Sequence, residues 1–322
     1  MVDAEGRAGP VLVVGDVNPD LVLCGDVVPR FGQVEQLLST ATLVIGGSAG
    51  ITAHGFARLG RPVAVVGAIG TDRFGTTVSD ALRAAGVDTS NLVVRRDQPS
   101  GLTVVLSNGA DRAILTLPGA IPSLTGADIL AAVARLTPAG LRHVHVCAVF
   151  LQPSLAANLP AVLAEIRAAG ITTSLDPNGD PAADWTAVQA LLPHLDLLLP
   201  NRSEAIAVAR ATGTDVADLA AACRVLAASV PLVVVKDGPN GARAVSEDGG
   251  TIIEPGWSVE VVDSTGAGDS FNAAFLDGWL QALPLAECLQ RGVAAGARSV
   301  GAIGGTAAQP TLDQLVNDRR TP

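Results

Sequence analysis

The residues best suited to chemistry lie together near the C-terminus: Asp263-Ser264-Thr265-Gly266-Ala267-Gly268-Asp269-Ser270-Phe271-Asn272-Ala273-Ala274-Phe275. They follow an apolar run, Trp257 to Val262, that alternates like a strand, and they lead into a helical pattern over Asn272 to Leu283. A turn of small residues opening a helix leaves several backbone N–H groups without intrahelical partners, at the positive end of the helix dipole. The spacing predicts an anion site on the amides of Gly266, Ala267 and Gly268, with Asp269 about one turn inside the helix. A carboxylate beside a bound anion repels it unless it has a task. The task these residue types allow is to accept a proton from a hydroxyl that attacks a phosphoryl group. Taken alone, Gly-Ala-Gly-Asp also reads as a tight turn followed by an acid favoured in a first helical turn.

Other polar groups fall at the ends of apolar runs. Val11 to Gly15 reads as a buried strand, and Asn18 and Asp20 follow at its C-terminal end, where open α/β sheets bind ligands. A Pro-containing turn with solvated polar residues fits the same pattern. Gly46-Gly47-Ser48-Ala49-Gly50 precedes a helical pattern over Ala53 to Gly60, and such glycines let backbone amides approach a substrate closely. Asp176-Pro177-Asn178 closes another strand and reads either as a turn or as a substrate contact. Asn201-Arg202-Ser203-Glu204 has capping-box spacing, with Asn201 as N-cap and Glu204 reaching back. Lys236-Asp237-Gly238-Pro239-Asn240-Gly241 ends a strand in a hairpin turn; Lys236 there is either a solvated strand-end lysine or a counterion for a phosphate.

Composition narrows the classes. The chain of 322 residues is 48% apolar and has no Tyr, so Val, Leu and Ala must fill its core. A net charge of −10 argues against nucleic acid or an anionic membrane as the main partner. Lys236 is the single lysine among 21 basic residues. Cys24, Cys147, Cys223 and Cys288 lie far apart without metal-ligand spacing, and read as small residues in a reducing compartment. The acidic N-terminus lacks a signal-peptide core and no apolar stretch approaches membrane-spanning length, so a cytoplasmic location is expected. There is no Gly-x-x-x-x-Gly-Lys-Ser/Thr loop, no Gly-x-Gly-x-x-Gly after the first strand, no Gly-x-Ser-x-Gly elbow and no zinc spacing.

The elements that must position these groups alternate. Val63 to Ile69 is a second buried strand, followed by Gly70 to Gly75 and a helix over Thr77 to Ala85. About Gly25 to Leu43 reads as short strands and turns, and Leu92–Val94, Leu102–Leu106 and Ala113–Leu117 read as antiparallel strands. Arg112 in that region either faces a substrate or lies exposed on its strand. Helices are predicted over 128–136, 155–169, 184–192, 203–211 and 215–229, separated by strands at His143–Val149, Thr172–Leu175, Leu195–Leu199 and Pro231–Val235. This alternation predicts a mostly parallel sheet covered by helices. The ends, 1–9 and 318–322, are expected to fray.

The stretch from Asp263 to Phe275 resembles, position by position and without a gap, the C-terminal signature of the ribokinase-like (PfkB) carbohydrate kinases. The resemblance extends over about residues 11 to 313 and includes the Gly-x-Asp-x-x-Gly turn at Gly70 to Gly75. It implies an α/β fold, a three-layer αβα sandwich with a mostly parallel central sheet and a small β-lid. The main domain would comprise 1–15, 43–92 and 118–322, and the lid 16–42 and 93–117. The activity implied is ATP-dependent phosphorylation of a primary hydroxyl on a sugar or sugar-like substrate, of ribokinase, fructokinase or ketodeoxygluconate-kinase type. In that reading Asp269 is the general base and the Gly266–Gly268 amides form the anion hole.

The same resemblance assigns Asn18, Asp20, Gly46, Gly47 and the position of Ile51 to the substrate. It assigns Asn201, Glu204, Lys236, Gly238, Gly241, Gly266 and Gly268 to the nucleotide, with Glu204 organising Mg²⁺ through water. Ala294 to Gly305 would wall the adenine, and Asp263 and Thr265 match a monovalent-cation (K⁺) site found in many members. Two departures bear on specificity: Ile51 stands where the family usually has Asn, and Gly179 where Asp-Pro-Asn members continue with Arg. A nucleoside kinase of the same fold and a non-catalytic sugar- or nucleotide-binding regulator remain as alternatives. Edge strands in the lid make a homodimer through the lid an expectation.

Overall fold

The computed structural model describes residues 9–107, 112–179, 182 and 184–317. Of the ends expected to fray, all but Gly9 lie outside the described residues. The chain begins with β1 (Val11–Val14), β2 (Asn18–Gly25), β3 (Leu38–Gly46), α1 (Ser48–Arg58), β4 (Val63–Val66), β5 (Ala68–Ile69), α2 (Arg73–Ala84) and β6 (Val93–Val94). It continues with β7 (Leu102–Ser107), β8 (Arg112–Leu117), α3 (Gly126–Leu136), β9 (His143–Cys147), α4 (Pro153–Ala156), α5 (Leu159–Ala168), β10 (Thr172–Asp176) and α6 (Thr186–Gln189). The last third holds β11 (Leu197–Leu198), α7 (Arg202–Ala211), α8 (Leu219–Ala227), β12 (Leu232–Lys236), β13 (Ala242–Ser246), β14 (Thr251–Glu254), α9 (Ala267–Leu280), α10 (Leu285–Ser299) and α11 (Leu312–Asn317).

Eight strands form the large sheet in the order β14-β13-β12-β11-β10-β9-β1-β4. Pairing is parallel from β4 across to β12, and β13 and β14 add an antiparallel edge. Runs such as Val11-Leu12-Val13-Val14 suit a strand covered on both faces, and successive side chains enter different cores. Leu12, Val14, Val144 and Val146 pack in one core with Ile129 of α3, Leu163 of α5, Val208 of α7 and Leu226 of α8. Val11, Val13 and Val234 pack in the other with Phe56 of α1 and Phe271 and Phe275 of α9. A separate four-stranded sheet, β3-β2-β7-β8, forms the lid. Its β2 and β7 run parallel, flanked by antiparallel β3 and β8.

Several expected elements differ in extent, each for a local reason. The helix expected over 155–169 divides into α4 and α5, because Pro160 favours the first turn of a new helix over the interior of an old one. That expected over 184–192 shortens to α6, followed by a 3₁₀ turn around Pro193. The one expected over 215–229 starts at Leu219, because the Asp218 carboxylate caps it by accepting from the Ala221 N–H at 2.8 Å. In the lid, residues 26–37 form the expected turns, but β3 runs unbroken over 9 residues, longer than the short strands expected up to Leu43.

Trp257 to Val262 is not a strand. Pro255 and Gly256 carry the chain off the sheet after β14, and the Val262 N–H bonds to the Val300 carbonyl at the end of α10 (2.8 Å). Trp257 is half-buried, whereas Val259, Glu260, Val261 and Val262 are all exposed, so the apolar alternation does not mark one covered and one open face.

One polar network crosses the sheet interior. The Thr172 hydroxyl donates to the Arg142 carbonyl (3.0 Å) and so accepts from His143 Nδ1 (2.8 Å). His143 Nε2 then accepts from Ser174 Oγ, which in turn accepts from His145 Nδ1, both at 2.7 Å. Burial lowers the pKa of both rings, so the network is neutral.

Candidate active site

The C-terminal ends of β1, β9, β10 and β12 converge with the N-terminus of α9. Gly266, the N-cap of α9, has φ 70°, and a Cβ there would lie 2.7 Å from Gly305 Cα and 2.8 Å from Ile51 Cγ2. Only glycine suits both the conformation and the space. Ala267 N–H reaches the Ser264 carbonyl at 3.4 Å, and among the described residues the Gly268 and Asp269 N–H groups bond to no carbonyl. They form the anion-binding end of the helix. The far end of α9 is anchored by a buried ion pair, Arg61 Nε to Asp277 Oδ1 at 2.5 Å.

Asp269 is 8% exposed in the first turn of α9. Ser48, at the start of α1, donates its hydroxyl to Asp269 Oδ1, and the Thr52 hydroxyl lies 3.5 Å from the same oxygen. Burial and the nearby Asp176 carboxylate push the Asp269 pKa up to about 7, opposed by the Ser48 bond and by Lys236. Such a value suits proton acceptance near neutrality.

Lys236, at the end of β12, is a buried counterion and not a solvated lysine. Its ammonium pairs with Asp176 at the end of β10 and donates to Asn272 Oδ1 at 3.3 Å. Asn272, one turn along α9 from Asp269, closes the triangle by donating from Nδ2 to Asp176 Oδ2 at 2.6 Å. Burial alone would lower the Lys236 pKa, but the Asp176 and Glu204 carboxylates carry it above the ordinary lysine value. A Cβ on Gly268 would sit 3.5 Å from Lys236 Nζ, so the missing side chain keeps the space between amide and ammonium open.

The capping box at Asn201 and Glu204 is formed: Glu204 N–H donates to Asn201 Oδ1 (3.0 Å) and Asn201 N–H to Glu204 Oε2 (2.8 Å). Glu204 is buried, and burial with Asp176 raises its pKa to about 7. One carboxylate oxygen thus holds the helix start while the group remains beside Lys236 and Asp176.

On the lid side, Asn18 Nδ2 donates to Asp20 Oδ1 (3.0 Å) and to Thr103 Oγ1 of β7 (3.1 Å). Burial and the Asp16 charge push the Asp20 pKa up to about 7. A Cβ on Gly46 would fall 2.0 Å from Asp20 Oδ1, and one on Gly47 would lie 2.4 Å from the Asp16 carbonyl. Gly46 makes room for the Asp20 carboxylate, and Gly47 for the Asp16 backbone. Ile51 is 3% exposed and packs on Gly266 and Gly305. Asn178 accepts from the Ala148 N–H at 2.8 Å, a turn-holding contact, and Gly179 faces open space.

A cavity of about 410 Å³ adjoins the anion site, lined by Lys236, Gly238 and Gly241 on one side and Ala267, Gly268 and Phe271 on another. Trp257, Val259, Val293, Gly296, Ala297 and Val300 supply an apolar wall. Gly241 has φ 93° and a Cβ there would strike the Glu254 carbonyl at 2.0 Å, so its role is to turn the hairpin.

The profile of the pfkB family carbohydrate kinases matches residues 10–312. The chain belongs to this family. It is 28% identical over 312 residues to the ribokinase of Haemophilus influenzae, covering 94% of this chain and 96% of that one. It is 29% identical over 305 residues to the 2-dehydro-3-deoxygluconokinase of Bacillus subtilis, covering 89% and 90%. The structure of Arabidopsis thaliana ribokinase complexed with ribose and ATP superposes with a TM-score of 0.80 at 25% identity, covering 96% of this chain and 98% of that one. The fold is ribokinase-like, and the protein is an ATP-binding carbohydrate kinase.

ATP suits the kinase's cavity on its own chemistry: an apolar wall leads to two unpaired amides and an ammonium. The expected cation site fits less well. Asp263 Oδ1 accepts from Thr265 N–H (2.9 Å) and Oγ1 (2.7 Å), and Oδ2 from Gly304 N–H (2.8 Å). Arg112 Nη1 of the lid donates to Thr265 Oγ1 (2.9 Å) and lies 3.9 Å from Asp263 Oδ1. Asp263 thus accepts three hydrogen bonds, and the Arg112 guanidinium beside it disfavours a second cation at the same carboxylate. Sequence reasoning gave no role to Asp16, Ser48, Asn272, Thr103 or Trp257. Asn272 and Ser48 lie inside stretches that stood out in the sequence, yet their partners are 96 and 221 residues away.

Proposed function

We propose that this kinase transfers the γ-phosphoryl of Mg-ATP to a primary hydroxyl of a sugar or sugar-like substrate. The observation that carries it is the Asp269 carboxylate, buried beside the free amides of Gly268 and Asp269 and raised to a pKa of about 7. Asp269 takes the proton of the attacking hydroxyl. The Gly268 and Asp269 amides at the start of α9 donate backbone hydrogen bonds to charge developing on the transferred group. Lys236 balances the phosphates on the cavity side, with Asn201 beside it. Glu204 would hold Mg²⁺ through water, and the ion would supply positive charge against that of the nucleotide phosphates.

Asn18 and Asp20 bind substrate hydroxyls, the carboxylate accepting from two of them at once. Neighbouring Gly46 and Gly47 let the α1 turn approach the same molecule. Ile51 removes one family hydrogen bond and, packed on Gly266 and Gly305, offers no free face to a nucleobase. Gly179 supplies no cation for a carboxylate or phosphate on the substrate. Together they support a neutral polyol over a nucleoside or sugar acid. No step is assigned to potassium.

ADP release with Mg-ATP is to be measured against ribose, fructose, ketodeoxygluconate and nucleosides, with and without potassium. A strong signal with one neutral sugar is the expected result. Silence across the panel, with ATP still bound tightly, would turn the reading toward a non-catalytic binder.

A further inference from the structure

The two oxygens of the Asp269 carboxylate are not equivalent. Oδ1 accepts the Ser48 hydroxyl and has Thr52 Oγ1 at 3.5 Å, whereas no hydrogen bond reaches Oδ2 among the described residues. A carboxylate on a short side chain can rotate about its last bond unless one oxygen is fixed. Ser48 is itself held. It is the first residue of α1, whose N-cap, Gly47, has φ 73° and no capping side chain. Asp16 supplies the cap from the end of β1: its Oδ1 accepts the Ala49 N–H at 3.3 Å, and its carbonyl accepts the Gly50 N–H at 3.4 Å. The chain of contacts runs from the large sheet through the start of α1 to the carboxylate on α9.

From this geometry we infer that Ser48 is a positioning residue for phosphoryl transfer, pinning Asp269 Oδ1 so that Oδ2 alone faces the substrate hydroxyl. The inference rests on Asp269 being the base. A hydroxyl donated to a carboxylate also favours its ionised form. The other charged and titratable groups around Asp269 are Asp16 after β1, Cys147 on β9, Asp176 on β10 and Lys236 on β12. Asp16 and Asp176 disfavour its ionisation and Lys236 favours it, with Ser48 the hydrogen-bond donor on the same side of that balance.

Ser48→Ala separates this role from simple packing. Turnover at pH 7 should drop about tenfold while ATP binding is unchanged. The acid limb of the kcat/KM profile should move up by about one pH unit, because the lost donor no longer favours the carboxylate. Ser48→Thr, which keeps the hydroxyl, should restore both. An acid limb that stays in place in Ser48→Ala, or a Thr variant no better than Ala, overturns the positioning role. Asp269→Asn run alongside distinguishes the two readings. If it turns over at near wild-type rate, the base assignment itself fails; if it is inactive beside an unaltered Ser48→Ala, only the role of Ser48 is lost.

Discussion

The large sheet and the lid both carry Val, Leu and Ile along their strands, yet they are covered very differently. Every residue of β1 and β4 is buried between helical layers, whereas every residue of β8 and the first six of β3 are exposed. Asp269, its donor Ser48 and the Lys236–Asp176–Asn272 triangle sit on elements packed against the large sheet. Asn18, Asp20 and Thr103 sit on the lid strands. On the proposed function the difference is a division of labour: the groups assigned to phosphoryl transfer stand on the doubly covered sheet, and the groups assigned to the substrate stand on the half-covered one.

The division is open to challenge at each level. The largest effect is expected at Asp269→Asn, which should lower turnover by about 10³–10⁴ while leaving nucleotide affinity, read by isothermal titration, near normal. Next comes Phe275→Ala, which empties a fully buried site beneath the large sheet and should cost about 3–5 kcal/mol in denaturant unfolding. Its lid counterpart Ile114→Ala, 54% exposed, should stay within about 0.5 kcal/mol. Equal costs would erase the contrast between the sheets.

Asp20→Asn should raise the sugar KM about 10- to 100-fold and leave the ATP KM alone, since it removes a substrate acceptor and keeps the lid packed. A change confined to kcat would put Asp20 on the transfer side of the division.

The pH dependence of stability sharpens the same contrast. Folding raises Asp269 from its ordinary value to about 7, so between about pH 4 and 7 the folded state binds the extra proton. The folded protein therefore loses stability from this group as pH rises through that window, and Asp269→Asn escapes the loss. The variant's stability advantage in thermal unfolding should be about 2–3 kcal/mol larger at pH 8 than at pH 5. An advantage independent of pH would mean that the carboxylate is not held against its ionisation.

Legibility followed locality. The anion turn and Asp269 could be read because thirteen neighbouring residues carry them, and the capping box at Asn201 and Glu204 because its partners are three residues apart. The alternation of strands and helices gave the mostly parallel sheet, since burial on both faces demands continuous apolar runs. Trp257 to Val262 misled because apolar alternation does not by itself specify strand pairing: Pro255 and Gly256 take the segment off the sheet, and residues 259–262 are exposed in succession. Pro160 and Asp218 changed helix boundaries through local chemistry that apolar periodicity does not register.

The sequence by itself determined the family and the fold class, and it singled out Asp269 and the glycine turn that precedes it, because each is written in contiguous residues or in a repeating pattern. Tertiary structure alone decided that Lys236 answers Asp176, that Ser48 takes one oxygen of Asp269, that Gly46 yields its space to Asp20, and that Asp263 and Thr265 are satisfied by Gly304 and Arg112. Those pairings join residues up to 221 positions apart. No local spacing encodes them; they exist only once parallel strands bring their C-terminal ends to one edge and burial obliges each polar group there to find a partner.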